Sequence, residues 1–433
     1  MSQCPFDFTR RNFLALTGGA VAAASAAAGV GFGAIAAVDA MTGQRGGLFA
    51  ARDTEPFWGK HQGGIITPAQ NHSYFAAFDL ATDKKDDVAK LLQKWTEASA
   101  RMTSGQTIAP IASSQTDEIN DTGDVIGLPP SRLTVTFGFG PGLFTKDGKD
   151  RYGLASRRPV ALVDIPKFNG DQLVDAQTGG DLSVQACADD PQVAFHAVRQ
   201  LARLADGIAQ IRWTQAGFIA NQPDGSTARN LMGFKDGTGN PDTRDANAMN
   251  QFVWVGNEGP DWMQGGSYMV ARRARIALEH WDKMKIAFQE QTIGRQKFSG
   301  APLGMKNETD AIDLNMTDKD GNPFIPENSH IRLATAASND GAKILRRSYS
   351  YNDGVSFTAE RWPPWRQGME YDAGLLFMCY QRDPRTGFLK IFDKMSKFDM
   401  MNQFVTHIGG GLFACPGGAR EGQFIGQRLF ATI

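Results

Sequence analysis

Three kinds of reactive side chain occur in two short segments that lie far apart in the sequence. The first segment, Gly233–Asn240, reads GFKDGTGN and places Asp236 in a glycine-rich turn. The second segment contains His330. The arginine pair Arg346 and Arg347 comes shortly after it in the sequence. A fixed carboxylate can move protons, a neutral imidazole can bind a metal, and a guanidinium can stabilise developing negative charge. Together they suit a reaction that moves a proton and stabilises an anion beside a metal.

The glycine-rich segment resembles the Gly-x-x-Asp-Gly signature of the dye-decolourising (DyP-type) haem peroxidases. The resemblance extends from about Trp58 to the C-terminus and is strongest between Gly233 and Arg347. It implies an enzyme that binds one non-covalent haem b per chain, reduces hydrogen peroxide and oxidises a small-molecule or dye-like donor. On residue types alone, Asp236 could be an ordinary turn residue and His330 a structural histidine.

The resemblance implies a role for each reactive residue. Asp236 would carry the proton of bound peroxide, and Arg346 would stabilise the departing oxygen. His330 would be the proximal ligand of the haem iron. Neighbouring residues on a strand point in opposite directions, so Arg347 would instead face a haem propionate or solvent.

Further residues are expected around the cofactor. An acidic residue of the C-terminal helix region, either Asp393 or Asp399, would orient His330 through its second ring nitrogen. Arg295 is a candidate partner for a propionate. His61 would be structural or would line the outer pocket. The other predicted cofactor contacts are loop positions and small residues after the histidine: Gly237, Thr238, Gly239, Thr335, Ala336 and Ala337.

The N-terminus resembles an export signal. Arg10 and Arg11 precede a run rich in alanine and glycine, which matches the twin-arginine pattern. We predict a signal peptide over residues 1–40 and a linker over residues 41–56. The alternative is an uncleaved anchor, but the run is only weakly apolar. Since twin-arginine export carries folded proteins, we expect a periplasmic or otherwise extracytoplasmic protein that takes up its cofactor before export.

Composition excludes several classes of partner and site. The chain has 433 residues, 42% of them hydrophobic, and a net charge of −1. This length allows two ordinary domains, and the balanced charge gives no reason to expect nucleic acid or a lipid surface as a partner. Beyond the predicted signal, Cys187, Cys379 and Cys415 are widely spaced. This spacing argues against a disulfide framework, a zinc knuckle, an iron–sulfur site and covalent c-type haem attachment.

Alternating strand and helix patterns in both halves predict an α+β fold. The resemblance implies two ferredoxin-like domains of the dimeric α+β barrel type, each a four-stranded antiparallel sheet with covering helices. We place these at residues 57–225 and 226–433, with haem bound mainly by the second, and expect a homodimer. Strands are predicted at 74–80, 133–137, 207–213, 266–272 and 375–380, and helices at 84–101, 194–204, 275–284 and 388–398.

Three functions are consistent with these residues. The first is a peroxidase. The second is a deferrochelatase, which releases iron from haem and leaves the porphyrin intact, because the sequence looks most like the deferrochelatase/peroxidase (EfeB) branch; other components of an iron-uptake system would then be partners. The third is a non-enzymatic haem carrier, against which the Asp236–Arg346 pair argues. Chlorite-dismutating relatives of the fold lack the Gly-x-x-Asp-Gly element.

Overall fold

The structure is a computed structural model that describes residues 53–109, 121–222, 224–359 and 367–431. The predicted signal peptide and most of the predicted linker lie outside the described residues. Within those ranges, no helix combines the length and the apolar character needed to cross a lipid bilayer.

The N-terminal half forms four antiparallel strands in the order β2-β3-β1-β4. Its elements are β1 His72–Leu80, α1 Lys85–Thr103, β2 Thr134–Phe139, β3 Leu182–Ala188, α2 Pro191–Leu204 and β4 Ala209–Phe218. Helix α1 buries Val88, Leu91, Leu92 and Trp95, which recur at helical spacing and therefore share one face. Asp190 caps α2 by accepting hydrogen bonds from two backbone N–H groups of its first turn.

The C-terminal half repeats this arrangement with the strand order β7-β8-β5-β9. The short strand β6 pairs with the remaining part of β8. The elements are α3 Ala246–Phe252, β5 Ser267–Ile276, α4 Leu278–Trp281, α5 Ile286–Ile293, α6 His330–Ala334, β6 Leu345–Arg346, β7 Tyr349–Ala359, β8 Gln367–Gln381, α7 Phe388–Phe398, β9 Val405–Cys415 and α8 Gln427–Phe430.

The two halves join into one closed ring of eight strands. Phe139 of β2 pairs with Ala414 of β9, and Phe218 of β4 pairs with Ser350 of β7. Because β5 pairs with both β8 and β9, the strand order closes on itself as a barrel. The predicted α+β class is confirmed. The two four-stranded sheets are joined at their strand ends into one barrel.

The alternation of side chains along each strand builds two cores. On β1, Ala76 and Phe78 pack outward against the helices, whereas Phe75 and Ala77 point into the barrel. The inner core combines residues of both halves, including Cys187 and Tyr380. The three cysteines of the described chain are buried and free.

Most predicted elements are confirmed, and α7 begins and ends at the predicted residues. The helix predicted over 275–284 is wrong at its start, because β5 extends to Ile276 by pairing with β9, and only Leu278–Trp281 is helical in that range. Strands β3, β7 and β9 were not predicted. Strand β3 is buried along its whole length, and so it lacks the polar alternation of a half-exposed strand.

Candidate active site

The loop that follows Ala228 positions Asp236. The backbone N–H of Asp236 donates to the carbonyl of Ala228, and Asn240 N–H donates to the carbonyl of Gly237, which closes a tight turn. Gly233 and Gly237 have φ values of 84° and 127°, which side chains with a Cβ rarely adopt. Gly239, the third glycine of the segment, does not have a positive φ. Two of the three glycines therefore determine the loop geometry.

Asp236 and Arg346 form a direct ion pair across the sequence. Arg346 Nη1 donates to Asp236 Oδ1 at 2.6 Å, and Asn230 Nδ2 donates to Asp236 Oδ2 at 3.3 Å. Both side chains of the pair keep about a quarter of their surface exposed, 27% for arginine and 23% for aspartate. The pair is thus held in a fixed geometry and remains accessible to a small molecule.

His330 begins helix α6 and is oriented by a buried carboxylate. Its Nδ1 donates to Asp399 Oδ2 at 2.7 Å, and Asp399 Oδ1 accepts from Met401 N–H at 2.8 Å. The Asp399 side chain is 2% exposed, whereas that of His330 is 28% exposed. In a neutral imidazole with Nδ1 donating, the lone pair is on Nε2, and this atom bonds to no described residue. Of the two carboxylates considered, Asp393 instead pairs with Lys397 at the surface.

Replacing Asp399 with asparagine should weaken haem binding about tenfold to a hundredfold, because the hydrogen-bond partner that orients the predicted iron ligand His330 would be replaced by a weaker acceptor. Titration of the cofactor-free protein with haem, followed at the Soret band, measures this affinity. Asp393→Asn is the matched control, since it makes the same change outside contact with His330. Equal affinities for the two variants would contradict the assignment of Asp399.

Arg295 lies beside the loop of Asp236 and bonds to backbone carbonyls. Its side chain is nearly buried, and Nη1 donates to the oxygens of Gly300 at 2.7 Å and of Glu308 at 3.0 Å. Burial lowers the pKa of Arg295, the carboxylate of Glu308 opposes that shift, and the charge of Arg346 adds to it. Arg295 is thus close enough to Arg346 for their charges to interact.

Glu308 is a site residue that the sequence did not reveal. Its carboxylate accepts from Thr238 Oγ1 at 2.8 Å and also pairs with Lys235, so it holds the residues on both sides of Asp236. Burial raises the pKa of Glu308, but hydrogen bonds from Lys235, Thr227 and Thr238 outweigh burial, and the net pKa is lowered. Nothing in the local sequence distinguishes this glutamate from a surface residue.

A cavity of about 190 Å³ opens beside the ion pair. Asp236, Gly237, Arg346 and Arg347 line it, together with the apolar segment 65–69. The volume is more than sufficient for a molecule of the size of hydrogen peroxide. The other predicted cofactor residues, including His330 and Arg295, are not part of its lining.

Arg347 is buried, which corrects the expectation that it could face solvent. Its guanidinium donates to the Thr67 carbonyl and to Gln70 Oε1. Gln70 Nε2 in turn donates to Thr134 Oγ1 at 3.1 Å. Arg347 therefore fixes the segment that forms one wall of the cavity, while the preceding residue, Arg346 of β6, faces Asp236, as expected for neighbours in extended chain.

His61 is structural, one of the two roles expected for it. Its ring stacks on Trp254 with centroids 3.8 Å apart, and its Nδ1 lies 2.6 Å from the Gly265 carbonyl. Burial lowers the pKa of His61. The wall of the cavity comes from the residues that follow His61, beginning at Ile65.

The residues present fit a haem iron. A neutral imidazole with a free Nε2 and a carboxylate on its other nitrogen is the usual arrangement of a metal-binding histidine. The small residues Thr335, Ala336 and Ala337 follow the helix that His330 begins; the first two are partly exposed and Ala337 is exposed. The Asp236–Arg346 pair places a carboxylate, which can carry a proton, beside a cation, which can stabilise an oxygen anion.

Comparison with known proteins decides the family. Residues 62–219 match the family model "Dyp-type peroxidase, N-terminal" and residues 227–420 match "Dyp-type peroxidase, C-terminal". The chain belongs to the DyP-type peroxidase family. It is 40% identical over 387 residues to a dye-decolorizing peroxidase of Thermobifida fusca (strain YX), covering 85% of this chain and 83% of that protein. It is 34% identical over 390 residues to the deferrochelatase of Escherichia coli (strain K12), covering 88% of each.

Solved structures of DyP-type peroxidases share the fold. The DyP-type peroxidase from Streptomyces coelicolor is 41% identical with a TM-score of 0.78, over 88% of this chain and 98% of that chain. Ferric DtpA from Streptomyces lividans is 41% identical with a TM-score of 0.77, over 87% and 98%. The chain is therefore a DyP-type peroxidase, and haem is the cofactor that its family implies.

Proposed function

We propose that this DyP-type peroxidase binds one non-covalent haem b per chain, reduces hydrogen peroxide and oxidises organic donors. His330 would bind the iron, and Asp236 and Arg346 would act on the peroxide. The observation that carries this proposal is the combination of a free imidazole Nε2, backed by the buried Asp399, with the 2.6 Å ion pair of Asp236 and Arg346. Arg295 and the residues Thr335 to Ala337 would contact the cofactor edge.

Three side chains near the cavity, those of Asp236, Arg346 and Asn230, would take part in the reaction with peroxide. Bound haem supplies the redox chemistry that cleaves the oxygen–oxygen bond. Asp236 Oδ1 or Oδ2 accepts the proton of the inner peroxide oxygen and returns it to the outer oxygen. Arg346 keeps its charge at any relevant pH and stabilises the negative charge on the departing oxygen. Asn230 holds the carboxylate through its amide during the transfer.

A second candidate function is deferrochelation, which would release iron from haem with the porphyrin intact. It is favoured by the 34% identity to the Escherichia coli deferrochelatase along 88% of both chains. The same residues would serve either activity, so only an experiment separates them. The haem-carrier alternative gains nothing from the Asp236–Arg346 pair, since binding alone requires neither residue.

One assay tests both functions. Purified protein is loaded with haem, and one portion receives hydrogen peroxide and a dye while another is incubated under reducing conditions. We expect peroxide-dependent bleaching of the dye. Metal-free protoporphyrin, detected by its fluorescence, would establish deferrochelation. Peroxide turnover without porphyrin release would reject deferrochelation, and absence of turnover would reject the peroxidase proposal.

The proposal also includes the location of the protein, its two domains and its assembly. The twin-arginine pattern supports export in folded form to the periplasm, where components of an iron-uptake system would be partners for a deferrochelatase. The strand orders β2-β3-β1-β4 and β7-β8-β5-β9 support two ferredoxin-like domains at residues 57–225 and 226–433. A homodimer is the expected assembly, and its size in solution tests that expectation.

A further inference from the structure

Asn240 holds the main chain of Arg346 through both ends of its side-chain amide. Asn240 Nδ2 donates to the Arg346 carbonyl at 2.8 Å, and Arg346 N–H donates to Asn240 Oδ1 at 3.0 Å. Both groups belong to a partly buried region of the site. The side-chain amide thus makes two hydrogen bonds to the main chain of one residue, the same pattern that a hydrogen-bonded pair of residues makes between antiparallel strands.

This contact completes a strand that would otherwise have one free edge. Strand β6 contains only Leu345–Arg346 and lies at the end of the strand order beside β8. On that inner edge, Arg347 N–H donates to the Met378 carbonyl at 2.8 Å. The N–H and C=O of Arg346 point the opposite way, where Asn240 takes the place of a further strand.

The same short loop holds Arg346 at two points. Asp236 accepts from its guanidinium at 2.6 Å, and Asn240, four residues later in the loop, holds its main chain. The turn between them is closed by the hydrogen bond from Asn240 N–H to the Gly237 carbonyl at 2.9 Å. The carboxylate of Asp236 and the main chain of Arg346 are therefore fixed relative to each other by one closed turn of the loop.

We propose that Asn240 is a positioning residue that keeps Arg346 in register with Asp236 when peroxide separates their side chains. In this structure the two side chains touch, so an oxygen atom that comes between them must break the ion pair. The main-chain bonds to Asn240 do not involve the guanidinium and remain intact when the pair opens. The proposal rests on the roles given above to Asp236 and Arg346.

The tether is tested first without any turnover. Amide hydrogen exchange of Arg346 and Arg347 is measured at single-residue resolution in the parent, in Asn240→Ala and in Asn240→Asp, each with and without haem. In Asn240→Ala we expect Arg346 N–H to exchange at least about tenfold faster, while Arg347 N–H, which bonds to Met378, stays protected. Asn240→Asp keeps the acceptor for Arg346 N–H but loses the donor, so its exchange should be intermediate.

The functional consequence is tested by the rate of the haem-loaded protein with hydrogen peroxide. A misplaced group can cost about a hundredfold, so we expect a fall of about ten- to a hundredfold in Asn240→Ala and a smaller fall in Asn240→Asp. The subsequent rate with the donor should not change. Asn169→Ala is the matched control: its exposed amide donates to the Ser396 carbonyl at 3.3 Å, away from the pair.

Unchanged exchange of Arg346 in Asn240→Ala would overturn the tether, and so would faster exchange accompanied by a parent-like rate with peroxide. Exchange that rises equally at Arg346 and Arg347 would indicate general loosening and would also overturn it. Failure of the proposed function gives a different result, because Asp236→Asn would then react with peroxide at the parent's rate. The exchange data remain decisive for the tether in either case.

Discussion

Replacing His330 with alanine should remove the normal Soret band of the haem-loaded protein and reduce peroxidase activity by more than about a hundredfold. An outer hydrogen-bonding partner of a metal ligand is worth about ten- to a hundredfold, and the ligand itself should contribute more. The Nδ1 atom of His330 is held by Asp399 at 2.7 Å, and this leaves Nε2 of the same imidazole to bind the iron. Absorption spectra of both proteins, loaded with equal haem, measure the loss.

His280→Ala is the control for this prediction. His280 is partly buried on α4 and packs its ring against Phe404 with centroids 4.9 Å apart, so its replacement also removes an imidazole that makes packing contacts. We expect the parent spectrum in that variant. A parent-like Soret band in His330→Ala, with the fold intact by circular dichroism, would contradict the assignment of His330.

Asp236→Asn should slow the reaction with hydrogen peroxide by about a hundredfold to ten-thousandfold, the range typical of a lost acid–base group. Asparagine has the same shape and can still accept from Arg346 Nη1, but its amide cannot carry the peroxide proton. Haem binding should be unchanged, because Asp236 belongs to a different part of the site from the His330–Asp399 pair. Stopped-flow mixing of haem-loaded protein with peroxide measures the rate.

The matched control is Asp242→Asn, in the same stretch of chain. Asp242 is exposed and pairs with Arg244 on the surface, and that hydrogen bond lowers the pKa of Asp242 to about 2. Asp242 is therefore ionised at neutral pH, yet it does not line the cavity. We expect the parent rate from this control. If Asp236→Asn reacted as fast as Asp242→Asn, the carboxylate would have no part in proton transfer.

The sequence predicted those elements whose local pattern agrees with their final environment. Helices α1 and α7 each have one apolar face and one polar face, and both were found. Strand β9 contains three successive glycines, Gly409 to Gly411, which are typical of a turn. A Cβ at Gly410 would meet the Ala271 carbonyl of the neighbouring strand at 2.1 Å, so the close strand pairing requires glycine. That requirement exists only in the folded barrel.

The site residues also fall into those that the sequence predicted and those that only the folded structure reveals. Asp236 and Arg346 carry distinctive motifs and were predicted, and the structure brings them into contact. Asp393 and Asp399 could not be separated by sequence, since one lies within and the other directly after the same helix. Their distinction depends on the turn after α7, where Asp399 caps residues 400–403 and faces His330. Glu308 and Asn240 act through contacts between distant segments, which no local pattern reports.

The central claim is tested most directly by a crystal structure of haem-saturated protein. We predict iron bonded to Nε2 of His330, with Nδ1 still donating to Asp399 and with Asp236 and Arg346 facing the open coordination position. An empty site in cofactor-saturated crystals, or a different side chain bonded to the iron, would contradict the account.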